Sequence, residues 1–270
     1  MHIMMIASRS IATFLALTAA LLLTACSGNV RNEAPAEQPV SQQNATSDVQ
    51  QRAKVHTELG MMYMQRGNMG VALDEARAAL SADANYAPAH NLMGLAYMQL
   101  RENQAAESSF ERALSLAPND PEINNGFGWF LCQTGREQRS LSYFSIAIKS
   151  PLYKTPAMSN TNAGICSIKL KDDKAAEDYL MRALHLDANN PRAIFFLADI
   201  AYRQDRLAVA RLHLNELHKI ADSTPESVWL ALRVERKLGD REAEARYAIQ
   251  LNRNFPGSPE QLKLSQRQYE

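Results

Sequence analysis

Three cysteines, Cys26, Cys132 and Cys166, are the residues of this 270-residue chain best equipped for covalent chemistry. A thiol can attack an acyl carbon, hold a metal, pair with a second thiol or carry a lipid. Catalysis and metal binding find little support. No Cys is set beside a His in a recognisable catalytic signature, and there is neither a G-x-S-x-G elbow nor a phosphate-binding glycine loop. The six histidines are scattered. His213 and His218 lie five apart without an H-E-x-x-H arrangement, so no helical face presents a zinc pair. His56 and His90 are 34 apart, which makes them equivalent places in a repeat rather than ligands. Carboxylates such as Asp74 and Glu75 read as solvated charges on helix surfaces. The expectation is a binding protein, not an enzyme, with no catalytic residue, metal or cofactor.

Cys26 closes the stretch LLLTAC. The apolar run before it, from about Ile11 to Leu23, is shorter than the roughly 20 residues a membrane-spanning helix needs. Arg9 precedes it and small residues end it, the layout of a secretory signal peptide over 1–25. Leu23-Thr24-Ala25-Cys26 resembles the bacterial lipobox. That resemblance implies cleavage before Cys26 and acylation of its thiol and new amino terminus. The alternative is an ordinary signal peptide with a chance cysteine. Two or more acyl chains anchor a protein stably where one would leave it exchanging. Ser27 stands where the lipobox rule reserves Asp for inner-membrane retention. The implied location is the outer membrane, lipid-anchored, with the rest of the chain in the periplasm.

Composition narrows the partners. With 29 basic and 29 acidic residues the formal charge is zero, so no field favours nucleic acid. An apolar fraction of 46% supports a sizeable core, and only 7% is aromatic, which favours helices over a β-sandwich. From Ser27 to about Gln51 the chain is rich in Pro, Gln, Asn, Ser, Glu and Ala. Such a segment buries too little surface to offset its ordering entropy, so residues 26–52 read as a lipidated, flexible linker.

What must position any binding site beyond the linker is a 34-residue ruler. Gly60, Gly94 and Gly128 fall at steps of 34, Gly164 follows at 36, and Ala198 and Leu232 continue at 34. A companion small-residue series runs Ala72, Ala106, Ser140, Ala176 and Ala210, and breaks at Glu244. This period resembles the tetratricopeptide repeat, a helical hairpin whose eighth and twentieth positions are small because its helices cross closely. The alternative is a helical bundle with fortuitous periodicity. The predicted fold is all-α, a right-handed superhelix of six hairpins over 53–258, with units 53–86, 87–120, 121–156, 157–190, 191–224 and 225–258. The two extra residues fall in the loop SPLYKTP, and residues 259–270 form a capping segment.

In such repeats the groove is lined by the second, fifth, ninth, twelfth and thirteenth positions of each first helix. In the first three units these hold Thr57, Met61, Met64, Asn91, Leu95, Met98, Asn125 and Trp129. In the last two they hold Arg192, Phe195, Asp199, Tyr202, Arg203, Trp229, Arg233, Arg236 and Lys237. The groove is thus expected to pass from soft and apolar to aromatic and charged. Methionine adapts to varied apolar partners, so the first stretch suits a docking peptide. The plainer alternative is that these methionines only pack between helices. Cys132 and Cys166 lie on neighbouring first helices and, with Cys26 acylated, form an even pair in an oxidising compartment. A disulfide between them is expected, against two buried free thiols.

The central segments carry a more specific likeness. NNGFGWFLC (124–132), the loop SPLYKTP (150–156) and NAGIC (162–166) are similar to the N-N-x-G-x-F-L-C-like run, the D-P-x-Y-x-x-P loop and the N-x-G-x-C of the PilF/PilW family of type IV pilus biogenesis lipoproteins. Asn124, Asn125, Phe130, Leu131 and Cys132 match the first, Pro151, Tyr153 and Pro156 the second, and Asn162, Gly164 and Cys166 the third. The departures are Gly126-Phe127-Gly128, where Tyr is commoner before the Gly, and Ser150 in place of an acid. The resemblance implies a pilotin: a lipoprotein that binds the pilus secretin and promotes its outer-membrane localisation and multimerisation. A tetratricopeptide scaffold lipoprotein for another envelope machine, serving outer-membrane protein insertion or peptidoglycan enzymes, remains the alternative.

Overall fold

The computed structural model describes residues 38–269. The expected signal peptide, the lipidation at Cys26 and the linker up to residue 37 lie outside the described residues. Among those described there are thirteen α-helices and no strand. Twelve pair into consecutive hairpins: α1 (Asp48–Gln65) with α2 (Met69–Ala82), α3 (Ala87–Gln99) with α4 (Asn103–Leu116), and α5 (Pro121–Gln133) with α6 (Glu137–Lys149). These are followed by α7 (Pro156–Lys169) with α8 (Asp173–Leu186), α9 (Pro191–Arg203) with α10 (Leu207–Ile220), and α11 (Pro225–Leu238) with α12 (Arg241–Asn254). A short α13 (Pro259–Ser265) ends the stack. The first helices touch one another in succession, α1 to α3 to α5 and onward to α11, so they form a continuous wall.

The second to fifth hairpins each close on one large side chain of the second helix, Phe110, Phe144, Leu180 or Leu214, where the first has Ala76. The rings of Phe110 and Phe144 and the side chain of Leu180 are fully buried. A Cβ on Gly128 would meet Phe144 at 2.9 Å, and one on Gly164 would meet Leu180 at 2.7 Å. The absent Cβ is what lets the two axes approach. The sixth hairpin solves the same volume problem in reverse. Leu232, fully buried, occupies the place of the glycine, and Ala248 the place of the large residue, within one cluster. Glu244, which breaks the small-residue series, turns to Arg236 and Arg241 at 2.7 and 3.0 Å.

The bend inside each hairpin needs one left-handed residue. Gly67, Gly135 and Gly239 supply it at φ of 81°, 78° and 79°. Arg101, Lys171 and Asp205 take the equivalent place at 62°, 62° and 58°. A side chain there costs roughly 1 kcal/mol or more. Between hairpins, proline opens each of α5, α7, α9 and α11, where its missing N–H would have had no helical partner.

The linker expected to extend to residue 52 ends earlier. Helix α1 starts at Asp48 because Ser47 Oγ accepts the Gln50 N–H at 3.2 Å, while Gln50 Oε1 accepts from the Thr46 N–H at 3.0 Å. Upstream, Val40 packs on Ala87, Ala113, Ala117 and Ile123. The Ser41 N–H donates to the buried Asp120 carboxylate at 2.7 Å, bridging 79 residues. One apolar anchor and one charge-assisted hydrogen bond hold a segment whose composition alone predicts no order.

The extra length between the third and fourth hairpins buries Tyr153. Ser159 Oγ lies within hydrogen-bond reach of both Tyr153 Oη at 3.2 Å and Asn125 Oδ1 at 2.9 Å, and Asn162 Nδ2 donates to the same Asn125 oxygen at 3.1 Å. Beside this network Cys132 of α5 and Cys166 of α7 are fully buried and paired, their Cα atoms 5.9 Å apart. Protein acylated at Cys26 and unfolded without reductant should therefore titrate no free thiol. Reduction should lower stability by about 3 kcal/mol, read as a shift in the denaturant midpoint. Two titratable thiols would contradict the pairing.

Candidate functional site

Successive first helices and their curvature enclose a cleft of about 670 Å³. All eight residues expected to line the groove of the first three hairpins border it: Thr57, Met61 and Met64 from α1, Asn91, Leu95 and Met98 from α3, and Asn125 and Trp129 from α5. They do not form the exposed apolar patch that spacing predicts. Met61, Met64, Leu95, Met98 and Trp129 are half-buried. Leu95 and Met98 also pack against the Phe110, Phe127 and Phe130 cluster, and Trp129 against Phe144 and Ala163. These side chains serve the core with one edge and the cleft with the other. Thr57, Asn91 and Asn125 are buried, with Thr57 Oγ1 donating to the Ala53 carbonyl at 2.8 Å.

Spacing missed part of the wall. Met158, 47% exposed, sits at the second position of the fourth unit and borders the cleft, so the register applied to that unit would have found it. Asn162 of α7 and Gly126 of α5 also contribute. A Cβ on Gly126 would come within 2.8 Å of Asn91 Oδ1, so glycine there leaves room for the amide. Arg192 of α9 reaches back across two hairpins, its guanidinium 5.2 Å from the centre of the Trp129 ring. The wall's acids are Glu58 and Glu122. Desolvation raises the Glu122 pKa above the usual carboxylate value, partly countered by the hydroxyl of Thr155, which donates to it at 3.1 Å.

The second half of the expected groove is closed. Trp229 and Tyr202 are buried. Tyr269, beyond α13, stacks on Trp229 with ring centres 5.8 Å apart, and its carbonyl accepts from Arg233 Nε at 3.0 Å. Arg236 lies 3.8 Å over the Tyr269 ring, and Arg233 and Lys237 lie over Tyr202 at 4.3 and 4.7 Å. Arg203 is held by Asp173 at 2.5 Å and Asp199 at 3.0 Å, and Lys237 by Asp205 at 3.1 Å. The charges that were expected to face a partner are largely paired within the chain. Phe195, with Phe196 and Arg192, still borders an open apolar pocket of about 330 Å³. Among the described residues no cluster of His, Cys, Asp and Glu has the makings of a metal site, and no helix is long and apolar enough to cross a membrane.

Two segments match the tetratricopeptide repeat, residues 87–120 and 173–225. The type IV pilus assembly protein PilF of Pseudomonas aeruginosa is 27% identical over 205 residues, 76% of this chain and 81% of its own. The crystal structure of PilW, a widely conserved type IV pilus biogenesis factor, superimposes with a TM-score of 0.73 at 32% identity, covering 79% of this chain and 98% of PilW. The structure of Pseudomonas aeruginosa PilF gives 0.74 at 25% identity, over 82% of this chain and all of PilF.

Tyr269→Ala should uncover Trp229 and free Arg236. In a Trp129→Phe background, which leaves Trp229 as the sole tryptophan, the emission should shift to the red and quench more readily with iodide. An unchanged spectrum would mean that Tyr269 does not cover the ring in solution.

Proposed function

The chain belongs to the PilF/PilW family of type IV pilus biogenesis proteins, and we propose that it acts there as a non-catalytic pilotin. In this reading Cys26 carries the acyl chains that hold the protein on the periplasmic side of the outer membrane. The superhelix binds the pilus secretin and promotes its multimerisation. The observation that carries the reading is the cleft over the first three hairpins. It combines adaptable apolar side chains with open volume, while most aromatic and charged groups of the last two hairpins, Arg192 and Phe195 excepted, are engaged within the chain. Apolar side chains clustered in a concave surface are what a docking segment needs.

Met61→Lys and Met98→Lys place a charge in the cleft while the long aliphatic stem keeps much of the packing. Both should retain the helical signal, lose no more than about 2 kcal/mol of stability, and abolish secretin multimers on a gel. Met181→Lys, on an exposed face of α8, should leave multimers intact. Folded cleft variants with normal multimers would move the binding surface elsewhere.

The anchor has its own test. Cys26→Ser removes the only acceptor thiol of the lipobox, so the protein should leave the outer-membrane fraction. Retention there after carbonate washing would overturn the lipid anchor.

A further inference from the structure

Arg192 is the cation of the cleft that the chain leaves uncommitted. At the other end Lys54 is taken by Glu58 at 4.0 Å and by the Gln43 carbonyl at 3.3 Å. Arg192 makes no ion pair among the described residues, whereas its neighbours Arg203 and Arg206 are both paired. It stands where three concavities meet: the methionine-lined cleft, the pocket beside Tyr153 and the Phe195–Phe196 pocket. Its surroundings desolvate the guanidinium and lower its pKa, with no carboxylate to offset them. A planar guanidinium laid against an indole is oriented and short of hydrogen-bond acceptors, the state in which a carboxylate adds most.

A second observation points the same way. Asn91 and Asn162, 6% and 4% exposed, stand in the same wall, and each holds an amide oxygen with no hydrogen-bond partner. Asn162 spends its Nδ2 on Asn125 and keeps the oxygen free. Both oxygens are closed off from solvent, so a backbone N–H of a bound segment relieves their desolvation cost once the amides turn toward the cleft.

We propose that the cleft recognises a peptide segment with apolar side chains followed by a carboxylate. The apolar side chains lie among Met61, Met98 and Trp129, the carboxylate pairs with Arg192, and backbone N–H groups meet the Asn91 and Asn162 amides as these turn toward the cleft. This rests on the cleft being the partner site, and it adds the chemistry of the partner. A bare apolar ligand such as an acyl chain would leave Arg192 and both amides unanswered.

The test uses the full acylated chain in detergent and overlapping synthetic peptides spanning the secretin, each made also with Asp and Glu changed to Asn and Gln. Wild-type protein should hold an apolar, acidic peptide about tenfold more tightly than its amide counterpart. Arg192→Gln should bind both at the weaker level, and Arg192→Lys should keep the preference. Equal binding of acid and amide peptides by wild type, or an Arg192→Gln protein that still discriminates, would overturn the inference. So would the absence of any retained peptide when Met98→Lys abolishes secretin multimers. That pattern spares the cleft but removes the acidic segment. Normal multimers with folded Met98→Lys would instead sink the cleft itself.

Discussion

Everything in this molecule hangs on how closely two helices of a hairpin can cross. Gly128 against Phe144 and Gly164 against Leu180 let one side chain from the second helix fill the space that a Cβ would take. A tight hairpin has a flat apolar side, and stacking those sides makes a core that no single unit could bury alone. The exchange at Leu232 and Ala248 shows that the constraint is on summed volume, not on glycine. A large residue on either helix serves, provided the other is small.

Curvature follows from that stacking, and the cleft follows from curvature. The first helices form the inner wall, so residues two hairpins apart come within reach, as Arg192 and Trp129 do. At the middle of this wall α5 and α7 are tied by the Cys132–Cys166 pair and by the Asn125, Ser159 and Asn162 network. Burial raises the Tyr153 phenol to about 12, so it stays protonated and neutral at physiological pH. A neutral network costs far less to bury than a charged one, which would demand a counter-ion. The junction lengthened by two residues is therefore fastened on both its apolar and its polar side.

The architecture was legible because its cause recurs in sequence. A close crossing repeated every 34 residues writes small residues at fixed places, and the register that locates them also locates the groove. What that register cannot carry is side-chain reach. It placed Leu95 and Met98 at the groove but not their shared duty to the phenylalanine cluster. It placed Arg192 and Tyr202 alike, though the first is uncommitted and the second buried beneath cations. The order in residues 38–47 depends on Asp120, 79 residues downstream of Ser41, which composition cannot register. A local signal was present at the helix start, where Ser47 and Gln50 are spaced as a capping box. The left-handed turn residues were half hidden, since three of the six are Arg, Lys and Asp.

The two halves of the inner wall differ in what a partner would have to undo. Over the last two hairpins a ligand must displace Tyr269 from Trp229 and Arg236, and break pairs such as Lys237 with Asp205. Each cation–π contact or exposed ion pair is worth only about 0.5–1 kcal/mol. Several must be lost together, and the aromatic surface released is already dry. Over the first three hairpins nothing has to be broken. Each Å² of methionine, leucine or tryptophan surface covered there gains roughly 25 cal/mol outright. Binding energy therefore accrues from the N-terminal side, where the segment at 38–47 also joins the domain, with Ser41 on the rim of the same cleft.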